Sequence, residues 1–129
     1  MDIGVLTVVL GGEPLEDALE YLSGIGADAV EFGCGGFVGD DHLPREEYLD
    51  DADAQEELLS LVEENDLRIS ALSTHNNPLH PDEERAARAQ TEIREAVELA
   101  SQLGVDNVNT FSGLPAGSPD GSVPNWITA

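Results

Sequence analysis

Between Ser73 and Pro81 the chain reads Ser-Thr-His-Asn-Asn-Pro-Leu-His-Pro, which sets two imidazoles and two carboxamides within nine residues. An imidazole can accept, donate or move a proton near neutral pH, and a carboxamide offers a donor and an acceptor to a hydroxyl-bearing ligand. The run follows an apolar alternation, Leu67, Ile69 and Ala71, that reads as a buried strand over Leu67 to Leu72. It precedes the longest helical pattern in the chain, which opens at Pro81. A strand end, a polar loop and a helix start are how an α/β protein presents chemistry at the carboxyl edge of its sheet. The loop therefore reads as one wall of a small-molecule site, with the rest of that site expected outside this chain.

The same strand-end rule selects Glu31, Cys34, Ser73, His75, Asn76, Asn77, Thr110, Phe111 and Ser112. Glu31 stands in Val30-Glu31-Phe32, where a carboxylate is costly to bury without a partner. It is either a structural contact to a neighbouring segment or part of a substrate site. His75, just past a strand end, is the leading site candidate against a helix-capping role. His80 is expected to serve the helix start, and His42, in an acidic loop, to lie on the surface. Cys34 has no identifiable base beside it and is expected to pack between glycines. Asp40-Asp41-His42 has the residue types of a metal cluster, but a solvated charge run accounts for it better. Trp126, the single tryptophan, offers either stacking on a sugar ring or packing within a lid.

The elements that must carry these residues alternate. Ile3 to Leu10 is apolar and β-branched, as a strand buried on both faces should be, and Gly11-Gly12 breaks it. Pro14 suits a first helical turn, and Leu15, Ala18, Leu19, Leu22 and Ile25 give that helix one apolar face up to Gly24 and Gly26. A second strand, Ala29 to Phe32, is expected to stop at Gly33-Cys34-Gly35-Gly36. An acidic loop from Phe37 to Asp53 follows, with room for one helical turn after Pro44. A helix from about Asp53 to Glu64, the strand to Leu72, a helix from Pro81 to Leu103 and a strand from Val105 to Phe111 complete the order. The last strand runs into the loop Ser112 to Pro119, and from there to Ala129 no periodicity is legible.

Strand-helix alternation of this kind means a parallel sheet with right-handed crossovers. An open doubly wound sheet and half of an eight-stranded barrel both satisfy it. The glycine fingerprint of a dinucleotide-binding sheet is missing, because Gly11-Gly12 runs into Glu13-Pro14, a repelling carboxylate and a residue without an amide donor. Four strands in 129 residues scale to roughly 260 for eight, near the usual barrel size. The expected fold is therefore α/β, the N-terminal half of a (β/α)8 TIM barrel with four parallel strands and three helices. Residues 1–129 form one partial domain of a longer protein in this reading.

Composition narrows the partners. The chain carries 27 acidic and 5 basic residues, a formal charge of −22, and all five basic residues are arginine. Hydrophobic residues still make up 40%, and their periodicity runs through the acidic segments, so an acidic shell over a folded core fits better than disorder. Lysine-free acidic surfaces resemble those of proteins from salt-loving organisms, where salt screens the self-repulsion. Such a field disfavours nucleic acid and anionic membranes, and at low salt it would also repel a sugar phosphate. No apolar run approaches membrane-spanning length, the start Met1-Asp2-Ile3 has no basic leader region, and one cysteine cannot close an internal disulfide. A cytoplasmic protein is expected.

Three pieces together resemble a known family: Glu31-Phe32-Gly33, His75-Asn76-Asn77-Pro78-Leu79-His80-Pro81, and Asn109-Thr110-Phe111-Ser112-Gly113 followed by Pro124-Asn125-Trp126. They are similar to the xylose-isomerase-like barrels, the sugar phosphate isomerases and epimerases also called the apurinic-endonuclease-2 superfamily. The resemblance covers the first half of that barrel. It implies metal-assisted proton transfer on a polyol or keto-sugar, with Mn, Mg, Co or Zn polarising the oxygens and carboxylates as acid and base. The family's metal ligands come mainly from later strands, so no metal ligand and no catalytic group is expected in this chain, which alone would be inactive. Glu31, His75, Asn76, Thr110 and Trp126 would line the substrate pocket: His75 as partner to a sugar hydroxyl, Glu31 as a second polar contact, Trp126 as an apolar wall. The superfamily also contains an endonuclease acting at abasic DNA sites. Its trinuclear zinc site uses a histidine after the fourth strand, where this chain has Thr110-Phe111-Ser112-Gly113. A third expectation is a non-catalytic module whose open sheet edge pairs with a second copy as a homo-oligomer.

Overall fold

The computed structural model describes residues 1–118 and 120–124. Four parallel strands, β1 (Gly4–Leu6), β2 (Ala29–Gly36), β3 (Arg68–His75) and β4 (Val108–Thr110), form one sheet in the order β1-β2-β3-β4. That order decides between the two architectures. A doubly wound sheet reverses direction at a switch point, whereas strands laid down in sequence order build the wall of a barrel.

Helices α1 (Leu15–Gly24), α2 (Arg45–Tyr48), α3 (Ala52–Glu64) and α4 (Glu83–Leu103) connect the strands. Asp51 caps α3 by accepting from the Ala54 amide at 3.0 Å, and Asp82 caps α4 by accepting from the Arg85 amide at 3.0 Å. Gly104 closes α4 in the left-handed conformation, at φ 70°. Leu19, Leu22, Leu58, Val62, Leu99 and Leu103 from the helices pack with Val30, Phe32 and Leu72 of the sheet. Ala96 and Ala100 are buried in the same cluster, and their small side chains let α4 lie close to the strands.

Four boundaries differ from the sequence expectation. The first strand ends at Leu6, and Thr7–Leu10 is a 3-10 turn with Val9 exposed. Within the described sheet β1 has a partner on one side only, so nothing past Leu6 holds the apolar run extended. The second strand does not stop at Gly33 but continues to Gly36, and β3 continues past Leu72 to His75. At the other end of α4 Val105 belongs to the helix cap, its amide donating to the Ala100 carbonyl at 2.8 Å, so β4 begins only at Val108. The helical turn expected after Pro44 is α2. None of the described helices is long and apolar enough to cross a membrane.

Candidate functional site

His75 is the last residue of β3, not a loop residue, and its backbone lies beside Gly36 of β2. Its ring meets Phe111 edge-on, with centroids 4.8 Å apart and planes at 67°. Nδ1 of His75 is buried and has no hydrogen-bond partner among the described residues. Thr110, at the end of β4, donates from Oγ1 to the Thr74 carbonyl at 2.8 Å and so ties the two strand ends together. Beside them opens a hollow of about 300 Å³ lined by Phe37, Asn77, Thr110, Phe111, Ser112 and Leu114.

Asn77 organises the rim of that hollow. Its Nδ2 donates to the Leu114 carbonyl at 3.0 Å, while its Oδ1 accepts from the amides of Leu114 at 2.8 Å and Leu79 at 3.2 Å. One buried carboxamide thus joins the loop after β3 to the loop after β4. Gly113 allows the approach: a Cβ there would stand 2.9 Å from the Leu79 amide nitrogen. A carboxamide just past a strand end is the sequence signal for such a clamp, but its partner Leu114, more than thirty residues away, is not.

The remaining candidates disperse. Asn76 turns toward α4, where Nδ2 donates to Glu92 Oε2. Glu31 is half-buried in mid-strand, paired with Leu6 on one side and Ala71 on the other. His75 lies four residues beyond Ala71, about 13 Å along the strand at the usual rise, so Glu31 and His75 do not meet. His80 serves the start of α4 as expected, with Nδ1 accepting from the Asp82 amide at 2.9 Å. His42 does not lie on the surface. It is 5% exposed, and its Nε2 donates to the Glu13 carbonyl at 2.9 Å, because the acidic loop folds back onto the turn after β1. Trp126 lies outside the described residues.

Residues 19–127 match the xylose isomerase-like TIM barrel family. The chain belongs to that family. It is also similar to the uncharacterized protein YfiH of Bacillus subtilis (strain 168), with 37% identity over 129 residues, 99% of this chain and 41% of YfiH. The chain therefore spans about two-fifths of the length of the relative it matches. Xylose isomerase-like barrels often use a divalent metal, but the described residues do not fit one: no three His, Cys, Asp or Glu side chains come together. Glu31 and His75, both expected in the substrate pocket and not at a metal, are too far apart to share an ion.

Arg45 was not selected by sequence reasoning, yet it holds the back of this region. Its side chain is 11% exposed, pairs with Glu95 of α4 at 3.3 Å and donates to the Cys34 carbonyl. Cys34 packs between glycines as expected, with Sγ donating to the Ser73 carbonyl at 3.5 Å. Burial pushes its thiol up to about 11 from an ordinary 9.0, against the smaller opposite pull of Arg45. Two consequences follow from a folded value above the unfolded one. The native thiol should resist maleimide at pH 8. The neutral thiol's contribution, fully present below pH 9, should be lost as pH rises through about 11, costing on the order of 2–3 kcal/mol. Urea unfolding at pH 8.5 and 10.5 checks this, because Cys34→Ala should lose less stability over that interval than the native sequence. Burial also raises Tyr48, so the variant is needed to separate the two groups.

Proposed function

We propose that the whole protein is an isomerase or epimerase of polyols or keto-sugars, and that this chain forms one wall of its pocket. The observation that carries the reading is His75 at the carboxyl end of β3, set against Phe111 of the next strand's loop beside the 300 Å³ hollow. Catalytic and binding groups of such barrels gather at that end of the strands. His75 would hydrogen-bond a substrate hydroxyl and Thr110 would border the same space. Glu31, deeper along β2, would face the floor. A divalent metal would be held by donors beyond the described residues. A nuclease reading has less support, since the end of β4 carries Thr110, Phe111 and Ser112 rather than an imidazole, and the charge of −22 opposes DNA.

Replacing His75 by asparagine in the full-length protein should lower kcat/KM on its best keto-sugar or polyol by about 10- to 100-fold, the worth of one hydrogen bond to a polar or charged partner. Steady-state kinetics with a panel of such substrates is the measurement. An unchanged kcat/KM in a correctly folded variant would remove His75 from the pocket.

A further inference from the structure

Beyond the carboxyl ends of β3 and β4 the chain is anchored on both sides of Phe111. On one side Thr110 Oγ1 donates to the Thr74 carbonyl at 2.8 Å. On the other the Asn77 side chain holds Leu114 twice, accepting from its amide at 2.8 Å and donating to its carbonyl at 3.0 Å. Phe111, Ser112 and Gly113 span the distance between these anchors, and the Phe111 ring meets the His75 imidazole. Nδ1 of His75 has no hydrogen-bond partner among the described residues, so that nitrogen does not fix the tilt of its ring. The edge-on contact with Phe111 is the restraint that the structure shows.

Asn77 does more than shape its own turn. A local turn needs only Oδ1, which accepts from the Leu79 amide at 3.2 Å. The second lone pair of Oδ1 and the Nδ2 donor both go to a residue of the next loop. No backbone–backbone hydrogen bond joins residues 76–81 to residues 111–118 among the described residues, so the carboxamide carries the joint. The side chain is 9% exposed, and hydrogen bonds removed from water are the stronger for it.

We propose that Asn77 is a positioning residue: by tethering Leu114 it holds Phe111 against His75 and so fixes where that imidazole meets the substrate. The tether stands on the contacts alone, and only its bearing on turnover rests on the isomerase reading. Misplacing a reacting group by about 1 Å can cost about 100-fold in rate, so a tether is felt in turnover even where it touches no substrate.

The test uses the full-length protein carrying ¹³C-labelled histidine, with proton–carbon NMR at a single pH and His75→Asn to assign the signals. Phe111→Leu removes the aromatic ring and marks where the His75 signals fall when the contact is lost. Asn77→Ser keeps an oxygen for the turn to Leu79 but gives up the reach to Leu114. It should move the His75 signals most of the way to their Phe111→Leu positions, and Asn77→Ala should do the same. Asn65→Ala, which removes a carboxamide bond to the Leu61 carbonyl at the end of α3, should leave them in place. In steady-state kinetics Asn77→Ser should lower kcat/KM at least about fivefold, and should lower it no further in a His75→Asn background. Unmoved His75 signals in folded Asn77→Ser, or the full kinetic loss repeated in the His75→Asn background, would overturn the proposal. Signals that move in a protein inactive on every sugar and polyol would keep the tether and remove the isomerase reading.

Discussion

Replacing Gly36 by valine should abolish cooperative folding under conditions where the native protein is stable. Gly36 has φ of +69°, a conformation that costs a β-branched residue about 1–3 kcal/mol. Space is the larger obstacle. A Cβ at this position would run into the His75 carbonyl oxygen and stand 2.7 Å from its carbon and 3.1 Å from its nitrogen. Those are backbone atoms of a strand flanked on both sides, so no side chain can swing away. Relief requires β2 and β3 to separate at their carboxyl ends, with loss of the Phe37 amide bond to the His75 carbonyl at 3.0 Å. A total of about 4 kcal/mol or more consumes most of the stability of a marginal domain. Gly39 supplies the comparison. Its φ is +68°, yet nothing stands within 4 Å of its missing Cβ, so Gly39→Ala should cost only about 1 kcal/mol. Urea unfolding of Gly36→Ala, Gly36→Val and Gly39→Ala should give that ranking.

Removing the Arg45 guanidinium, as in Arg45→Met, should be the next most damaging change. The side chain lies almost wholly inside, and its loss strands the Cys34 carbonyl and the Glu95 carboxylate together. Breaking a buried pair from one side costs about 3–5 kcal/mol, and because Glu95 is 36% exposed and can rehydrate, about 2 kcal/mol is expected here. Adding Glu95→Gln should cost less than the separate effects predict, since the second change removes the stranded charge. Gly35 provides a second check. A Cβ there would collide with the Arg45 guanidinium and lie 3.3 Å from Thr74 Oγ1. Gly35→Ala should therefore be less harmful in an Arg45→Met background than alone. Additive losses in both cycles, measured by urea unfolding, would mean that these groups do not act through one another.

The helices were legible because their apolar residues repeat with the helical period: Leu15, Ala18, Leu19 and Leu22 are the buried or half-buried face of α1, whereas Ile25, read as part of that face, is exposed past the helix end. The parallel sheet followed from the alternation, and the barrel reading rested on the missing dinucleotide-binding glycines and on the chain length per strand. The run Gly33-Cys34-Gly35-Gly36 misled for a physical reason. Glycines in sequence look like a break, whereas here they keep a strand going where the Val38 and Gly39 carbonyls, Arg45 and His75 press against it. One-dimensional patterns carry no record of what approaches a missing Cβ. For the same reason Arg45 looked like any charge in an acidic loop, and His42 looked exposed until the loop folded back on Glu13. At the site, His75, Asn77, Thr110 and Phe111 were selected by the strand-end rule and do gather there. Glu31 was selected by the same rule but sits mid-strand, because β2 runs on through its glycines.

The central claim is that this chain walls a pocket where a carbon-bound proton is moved on a sugar or polyol. Deuterium incorporation tests it most directly. The full-length protein, loaded with manganese or magnesium, is incubated in D₂O with a panel of keto-sugars and polyols, including phosphorylated and carboxylated ones, and followed by proton NMR. The account predicts loss of the proton signal on the carbon next to the carbonyl or reacting hydroxyl of at least one substrate. That loss should be abolished by chelator and slowed by His75→Asn. No exchange on any of them, with cleavage of abasic DNA by the same preparation, would contradict it.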